Sequence, residues 1–264
     1  MPSFAANLTM MFNEVPFLDR FEAASAAGFS AVEFLFPYEH PPEVISERLQ
    51  ANGLTLALFN LPPGDWQAGE RGLATLPERR DEFRISVEIA LSYAKSTGAK
   101  RFHMMSGIAS RTGPKAVADY RDSLSFACDR AGEHDIDVVI EPINSRDMPG
   151  YFLNDFDFAA DIIRDLNKPN LRLQFDIYHR QIIHGDVLTG LRQLMPIIGH
   201  VQIAAVPLRH EPGTGELNDF SILRELDILG YEGFVGCEYR PAGDTRSGLL
   251  WLDTFRNGKA KGGL

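Results

Sequence analysis

The sequence predicts an α/β fold, a single-domain (β/α)8 TIM barrel over residues 1–264. Three observations carry this. Apolar runs rich in β-branched residues alternate with helix-period segments that open on proline or a capping residue and often close on glycine. Eight strand–helix pairs can be counted, and strict alternation means parallel strands joined by crossover helices. The length of 264 residues matches the roughly 250 typical of a closed barrel. There is no GxGxxG after the first strand, which lowers a dinucleotide-binding reading.

In order, Phe4–Met10 reads as a strand, and Pro16–Gly28 as a helix closed by a C-cap glycine. Ala31–Phe36 is a strand, Pro41–Gly53 a helix and Leu54–Asn60 a strand. A loop over 61–76 follows, long enough to suggest a functional role. It holds GERG at 69–72, which lacks the spacing and the Lys-Ser/Thr pair of a phosphate loop. Pro77–Gly98 is a helix, Arg101–Ser106 a strand and Pro114–His134 a helix. The fifth strand, Ile136–Ile143, runs through Val138-Val139-Ile140 into Glu141, with Pro142 ending the ladder. Asn154–Leu166 is a helix with Asn154 as candidate cap. Leu171–Ile177 is a strand, His179–Ile198 mostly helix, Gly199–Ala204 a strand, Asp219–Leu229 a helix, Gly233–Tyr239 a strand and Thr245–Phe255 the final helix.

Composition excludes several classes. The net charge of -10, with no basic stripe, argues against nucleic acid as a partner. No apolar stretch is long enough for a membrane span, and the N-terminus has no signal-peptide pattern. Cys128 and Cys237 lie far apart, outside any CxxC, which suits a reducing compartment. A cytoplasmic protein is expected, and a homo-oligomer is left open.

Barrel enzymes work at the C-terminal ends of their strands. Those ends carry Asn7, Glu33, Asn60, His103, Glu141, Asp176, Gln202 and Glu238. The last four fall on successive strands five to eight, so their oxygens should converge. Three carboxylates cannot converge near neutral pH without a cation or raised pKa values. Oxygen donors suit Mg²⁺ or Mn²⁺, and Glu141, Asp176, Gln202 and Glu238 are the expected ligands. Separate salt bridges at the rim are the simpler reading for any one acid, less so for a set on four successive strands. Glu33 lies mid-run, where an outward face toward a helix is open to it. His103 reads equally as a site residue or a core histidine. His179, just past strand six, is placed to reach a bound ligand, and Arg209 to pair with an anionic substrate. Their bland readings are a solvent-facing helix start and a surface arginine beside Glu211. Trp66 is read as a cover over the site.

Several segments resemble the hydroxypyruvate isomerase family, within the xylose-isomerase-like barrel superfamily. They are FAANL (4–8), VEF (32–34) with Pro37-Tyr38, and NLPPGDWQAGERG (60–72). IEPIN (140–144) with Pro149-Gly150-Tyr151, QFDIYHRQ (174–181), HVQIA (200–204), EPGTGELN (211–218) and GCEY (236–239) continue the match. The resemblance implies an aldose–ketose type isomerase acting on a small anionic oxo-hydroxy acid. It places the family's proton donor and acceptor on Glu141 and Glu238, and the superfamily's metal positions on Glu141, Asp176, Gln202 and Glu238. The third of these is commonly histidine in related epimerases. From their places at the strand ends and in the loops, Asn7, Asn60, His103, Trp66, His179 and Arg209 are the expected substrate-binding residues. The sister group acts on 2-oxo-tetronate; IEPIN and EPGTGELN look more like the hydroxypyruvate group. The expected reaction interconverts hydroxypyruvate and tartronate semialdehyde. Alternatives are a ketose 3-epimerase, a metal-dependent DNA-repair endonuclease and a catalytically silent binding barrel.

Overall fold

Eight short strands run parallel: β1 (Ser3–Asn7), β2 (Ala31–Glu33), β3 (Thr55–Leu58), β4 (Arg101–His103), β5 (Asp137–Ile140), β6 (Leu171–Asp176), β7 (Ile198–Ile203) and β8 (Phe234–Cys237). The structure is a computed structural model, and it describes residues 2–112 and 114–256. The ends of the expected single domain, Met1 and 257–264, lie outside the described residues. The strands are hydrogen-bonded in the order β3-β2-β1-β8-β7-β6-β5-β4. A parallel bridge between Asn60 and His103 then links β3 to β4 and brings the ring round on itself. His103 N donates to Phe59 O (2.8 Å) and Leu61 N to His103 O (2.9 Å).

The helices are α1 (Arg20–Ala26), α2 (Pro42–Ala51), α3 (Arg80–Thr97), α4 (Pro114–Gly132), α5 (Phe156–Leu166), α6 (Ile177–Ile183), α7 (Val187–Leu194), α8 (Asp219–Ile228) and α9 (Leu250–Arg256). Local chemistry sets their ends. Pro42 sits in the first turn of α2, and Gly98 ends α3 at φ 75°. The cap of α5 is Asp155, one residue beyond the expected Asn154; its carboxylate accepts from Phe158 N (2.8 Å). The expected long helix after strand six is two helices, broken where Gly185 and Asp186 take positive φ. No helix among the described residues is long and apolar enough to cross a membrane.

The strands stop earlier than their apolar runs, and this positions the site. β5 ends at Ile140, so Glu141 and Pro142 lie outside the ladder. β1 ends at Asn7, whose Oδ1 accepts from Thr9 N (3.1 Å) and Met10 N (3.2 Å) and turns the chain away. Apolar side chains of strands and helices form one large buried cluster. Inside the ring the filling is unusual: three alanines, Ala5, Ala31 and Ala57, form a small cluster, and polar groups occupy the level above them. Barrel interiors are ordinarily layered with bulky apolar residues.

Candidate active site

Glu33 lies at the centre of the ring, and it faces inward. Its Oε1 accepts from Asn7 Nδ2 (2.9 Å) and Gln202 Nε2 (2.8 Å), and its Oε2 meets His200 Nε2 (2.8 Å). Gln174 Nε2 donates to Gln202 Oε1 (2.6 Å). Gly236 is required here, because a Cβ on it would overlap the Glu33 carboxylate. A buried carboxylate is tolerated when it is hydrogen-bonded on both oxygens, and Glu33 is.

One level up, at the C-terminal strand ends, the acids are less completely satisfied. Glu141, Asp176 and Glu238 are all buried. Asp176 caps α6 through Tyr178 N (2.8 Å). Arg209, held at φ 58° in the loop after β7, is the counter-ion shared by Asp176 and Glu238. Its Nη2 reaches Glu238 Oε2 (2.5 Å) and Asp176 Oδ2 (3.3 Å), Nη1 lies 3.6 Å from Asp147, and Nε donates to the Glu238 carbonyl (3.3 Å). Glu141 has no such partner, and its Oε1 makes no hydrogen bond. His103 Nδ1 lies 3.8 Å from its Oε2, and His179 Nε2 3.8 Å from its Oε1.

The electrostatics follow from burial. Desolvation raises Glu141 well above the carboxylate range, and Glu238 and Asp176 add to it. Burial also raises Glu238 to about 8 and Asp176 to about 6, with Arg209 pulling both back. Burial lowers His103 to about 3 and His179 well below its ordinary value, so both rings are neutral.

The His179 tautomer can be read from its neighbours. Asn144 Oδ1 accepts from Arg146 N and Asp147 N (both 3.0 Å), which turns its Nδ2 toward His179 Nδ1 (2.6 Å). Asn144 N also donates to Nδ1 (3.3 Å). With Nδ1 accepting, the proton of the neutral ring is on Nε2. Nε2 lies 3.5 Å from Asp176 and 3.8 Å from Glu141 Oε1, and in this tautomer it presents a proton rather than a lone pair.

These groups open on a cavity of about 600 Å³ at the barrel mouth. It is lined by Glu141, Glu238, His179, Arg209, Asn60, His103 and Trp66 among others. Of the residues singled out from sequence, Asn7 and Gln202 sit beneath it: Asn7 links Glu33 to Glu238 Oε1 (3.5 Å), and the Gln202 amide lies between Glu33 and Gln174. Trp66 is at the rim, packed on Phe36 with ring centroids 5.1 Å apart. Asn144, Asp147 and Arg71 went unassigned in sequence. Asn144 stands in IEPIN and Arg71 in GERG, so segment identity was the available signal; nothing local marks Asp147.

The donor set fits a hard divalent cation. One oxygen each of Glu141 and Asp176 lie within 4.8 Å of one another, and the orphaned Glu141 Oε1 lacks a positive partner; the protonated Nε2 of His179 beside them is not a ligand in this tautomer. Gln202 Oε1 keeps a second lone pair beyond its bond from Gln174.

Comparison with known proteins places the chain in a family. The xylose isomerase-like TIM barrel model matches residues 21–255. A 2-oxo-tetronate isomerase of Cupriavidus necator is 53% identical over 97% of this chain and 99% of that protein. A hydroxypyruvate isomerase of Escherichia coli is 42% identical over 97% of this chain and its own full length. A crystal structure from Brucella melitensis, described as an AP endonuclease of family 2, superposes with a TM-score of 0.94 at 47% identity, covering 97% of this chain and 99% of that one. A 3-keto-D-glucoside 4-epimerase of Escherichia coli, at 21% identity and TM-score 0.75, covers 96% of this chain and 99% of its own and shares the fold. The chain belongs to the xylose isomerase-like TIM-barrel family, alongside the hydroxypyruvate and 2-oxo-tetronate isomerases, and is itself an isomerase.

Proposed function

We propose that the chain isomerises short 2-oxo-hydroxy acids by moving a proton between C3 and C2. The observation that supports this best is the meeting of Glu141 and Glu238 in one cavity with a neutral, proton-bearing His179 beside them. One glutamate takes the C3 proton of the substrate. Charge moves onto the C2 oxygen, giving an enediolate. The Nε2–H of His179 is the donor for that oxygen, where negative charge develops. A proton then returns at C2 and another passes between the two oxygens. Acid–base transfer of this kind contributes about 10²–10⁴-fold.

Glu141 and Asp176, with Gln202 and Glu238 nearby, are the residues to hold Mg²⁺ or Mn²⁺. A cation held there would supply Lewis-acid stabilisation of negative charge on the substrate. Asn144 holds the His179 ring, and Arg209 keeps Glu238 and Asp176 in place.

Between substrates, the 53% identity with the Cupriavidus protein favours 2-oxo-tetronate over the hydroxypyruvate that the IEPIN and EPGTGELN segments suggest. The 42% relative from Escherichia coli supports hydroxypyruvate as the second reading. The net charge of -10 favours a small molecule over DNA, the substrate class raised by the Brucella protein's description. Purified protein should be assayed on 2-oxo-tetronate, hydroxypyruvate and neutral ketoses, with and without Mg²⁺ or Mn²⁺, and for DNA binding at low salt. Turnover of a ketose alone, or tight DNA binding, would sink the oxo-acid reading.

A further inference from the structure

We propose that Arg71, and not Arg209, receives the carboxylate of the substrate. The inference rests on the oxo-acid reading above and adds the group that selects for an acid. It starts from charge. Glu141, Asp147 and Glu238 line the cavity, and Asp176 lies against Arg209. Arg209 is already turned to the acids: Nη2 donates to Glu238 and Asp176, Nε donates to a carbonyl, and Nη1 lies 3.6 Å from Asp147 as a looser ion pair. An anionic substrate entering on that side meets an acidic wall whose arginine is already engaged.

Arg71 lines the same cavity. Its Nη1 donates to the carbonyls of Trp66 (3.0 Å) and Glu70 (2.7 Å), and its guanidinium lies 3.8 Å over the Trp66 ring. No acid pairs with it among the described residues. A guanidinium carries five N–H groups. With Nη1 spent on two carbonyls, Nε and Nη2 remain as the side-on edge that takes a carboxylate bidentately.

The loop is built to hold that edge still. Glu70, the adjacent acid, is turned away: its Oε2 accepts from Asp65 N (2.5 Å) and its Oε1 pairs with Arg79. On the other side, Gly72 N donates to Pro63 O (2.9 Å). Gly72 has φ 115°, and a Cβ on it would overlap the Met105 carbonyl. The loop is thus clamped on both sides of Arg71. Arg240 also lines the cavity, but it is exposed and its charge is screened by solvent. This gives the GERG segment a purpose other than phosphate binding.

The test compares the wild type with Arg71→Gln and Arg71→Lys. Glycerate, which cannot isomerise, is titrated calorimetrically into each. Arg71→Gln should weaken glycerate binding roughly 10- to 100-fold, and Arg71→Lys should recover part of it. In turnover of whichever oxo acid is active, KM should rise by a similar factor while kcat changes much less. Equal glycerate affinity in wild type and Arg71→Gln overturns the proposal. So does a fall in kcat at constant KM, or no glycerate binding by the wild type. Failure of the wild type to turn over any oxo acid removes the oxo-acid reading instead, and the glycerate titration still decides Arg71.

Discussion

Two carboxylate layers sit within one barrel, and they differ in satisfaction rather than in depth. Glu33, in the lower layer, accepts from Asn7 and Gln202 and is bonded to His200. Glu141, in the upper layer, is buried too, yet one of its oxygens has no partner. A buried acid bonded on both oxygens belongs to the architecture. A buried acid left short of partners is held ready for something that arrives, a cation or a substrate proton. The same residue type therefore serves structure below and chemistry above.

The sharpest break of that comparison removes the upper acids. Glu141→Gln and Glu238→Gln should each lower kcat by about 10³-fold, with thermal melting unchanged or raised in Glu141→Gln, whose Oε1 has no partner to lose, and lowered modestly in Glu238→Gln, where Arg209 keeps Asp176. A melting temperature that collapses in either variant would make that acid structural. Next comes Arg209→Met, which strands Asp176 and Glu238. It should destabilise by about 3–5 kcal/mol at pH 8 in urea unfolding, and by less at pH 5, where the acids can take up protons.

The wild type should show a related pH dependence. Burial raises Asp176 to about 6 from 3.8 and Glu238 to about 8 from 4.5. Groups raised in the folded state stabilise it fully below their unfolded values, and that stability is lost as pH rises through the folded ones. Metal-free protein should therefore melt lower at pH 8 than at pH 5. Mg²⁺ or Mn²⁺ should restore more at pH 8, about 2.7 kcal/mol at a hundredfold excess over Kd. A melting temperature indifferent to both ions at pH 8 counts against a bound cation.

In the lower layer the expected sign is reversed. Glu33→Gln should cost about 1–3 kcal/mol of stability and lower kcat far less than Glu141→Gln; a loss of rate equal to that of Glu141→Gln would erase the distinction. The smallest effect should come from Asn144→Ala. It frees the His179 ring, and kcat should fall about tenfold, with an altered pH profile as the sign that the tautomer is no longer held.

The barrel was legible because its signals are local. Val138-Val139-Ile140 is buried wherever it is placed, and a proline at 142 or a glycine at 98 ends an element by its own backbone chemistry. The strand-end acids were legible for the same reason, since fold class and strand order put positions 141, 176 and 238 side by side. The facing of Glu33 was not. A strand residue turns inward or outward by register, and the pairing of Asn7 with Glu33 and the close passage of Gly236 fix it. Nor could sequence tell that Arg209 would lie among three acids and donate to two of them, or that Asn144 would face His179 from 35 residues away.

By itself the sequence determined the alternation, the closed ring and the acids at its mouth, because periodicity and strand termination are written residue by residue. The tertiary structure alone decided which acid is satisfied and which is left wanting. Hydrogen-bond satisfaction depends on partners brought together from opposite sides of the barrel, 169 residues apart for Glu33 and Gln202, and no local pattern encodes such a meeting.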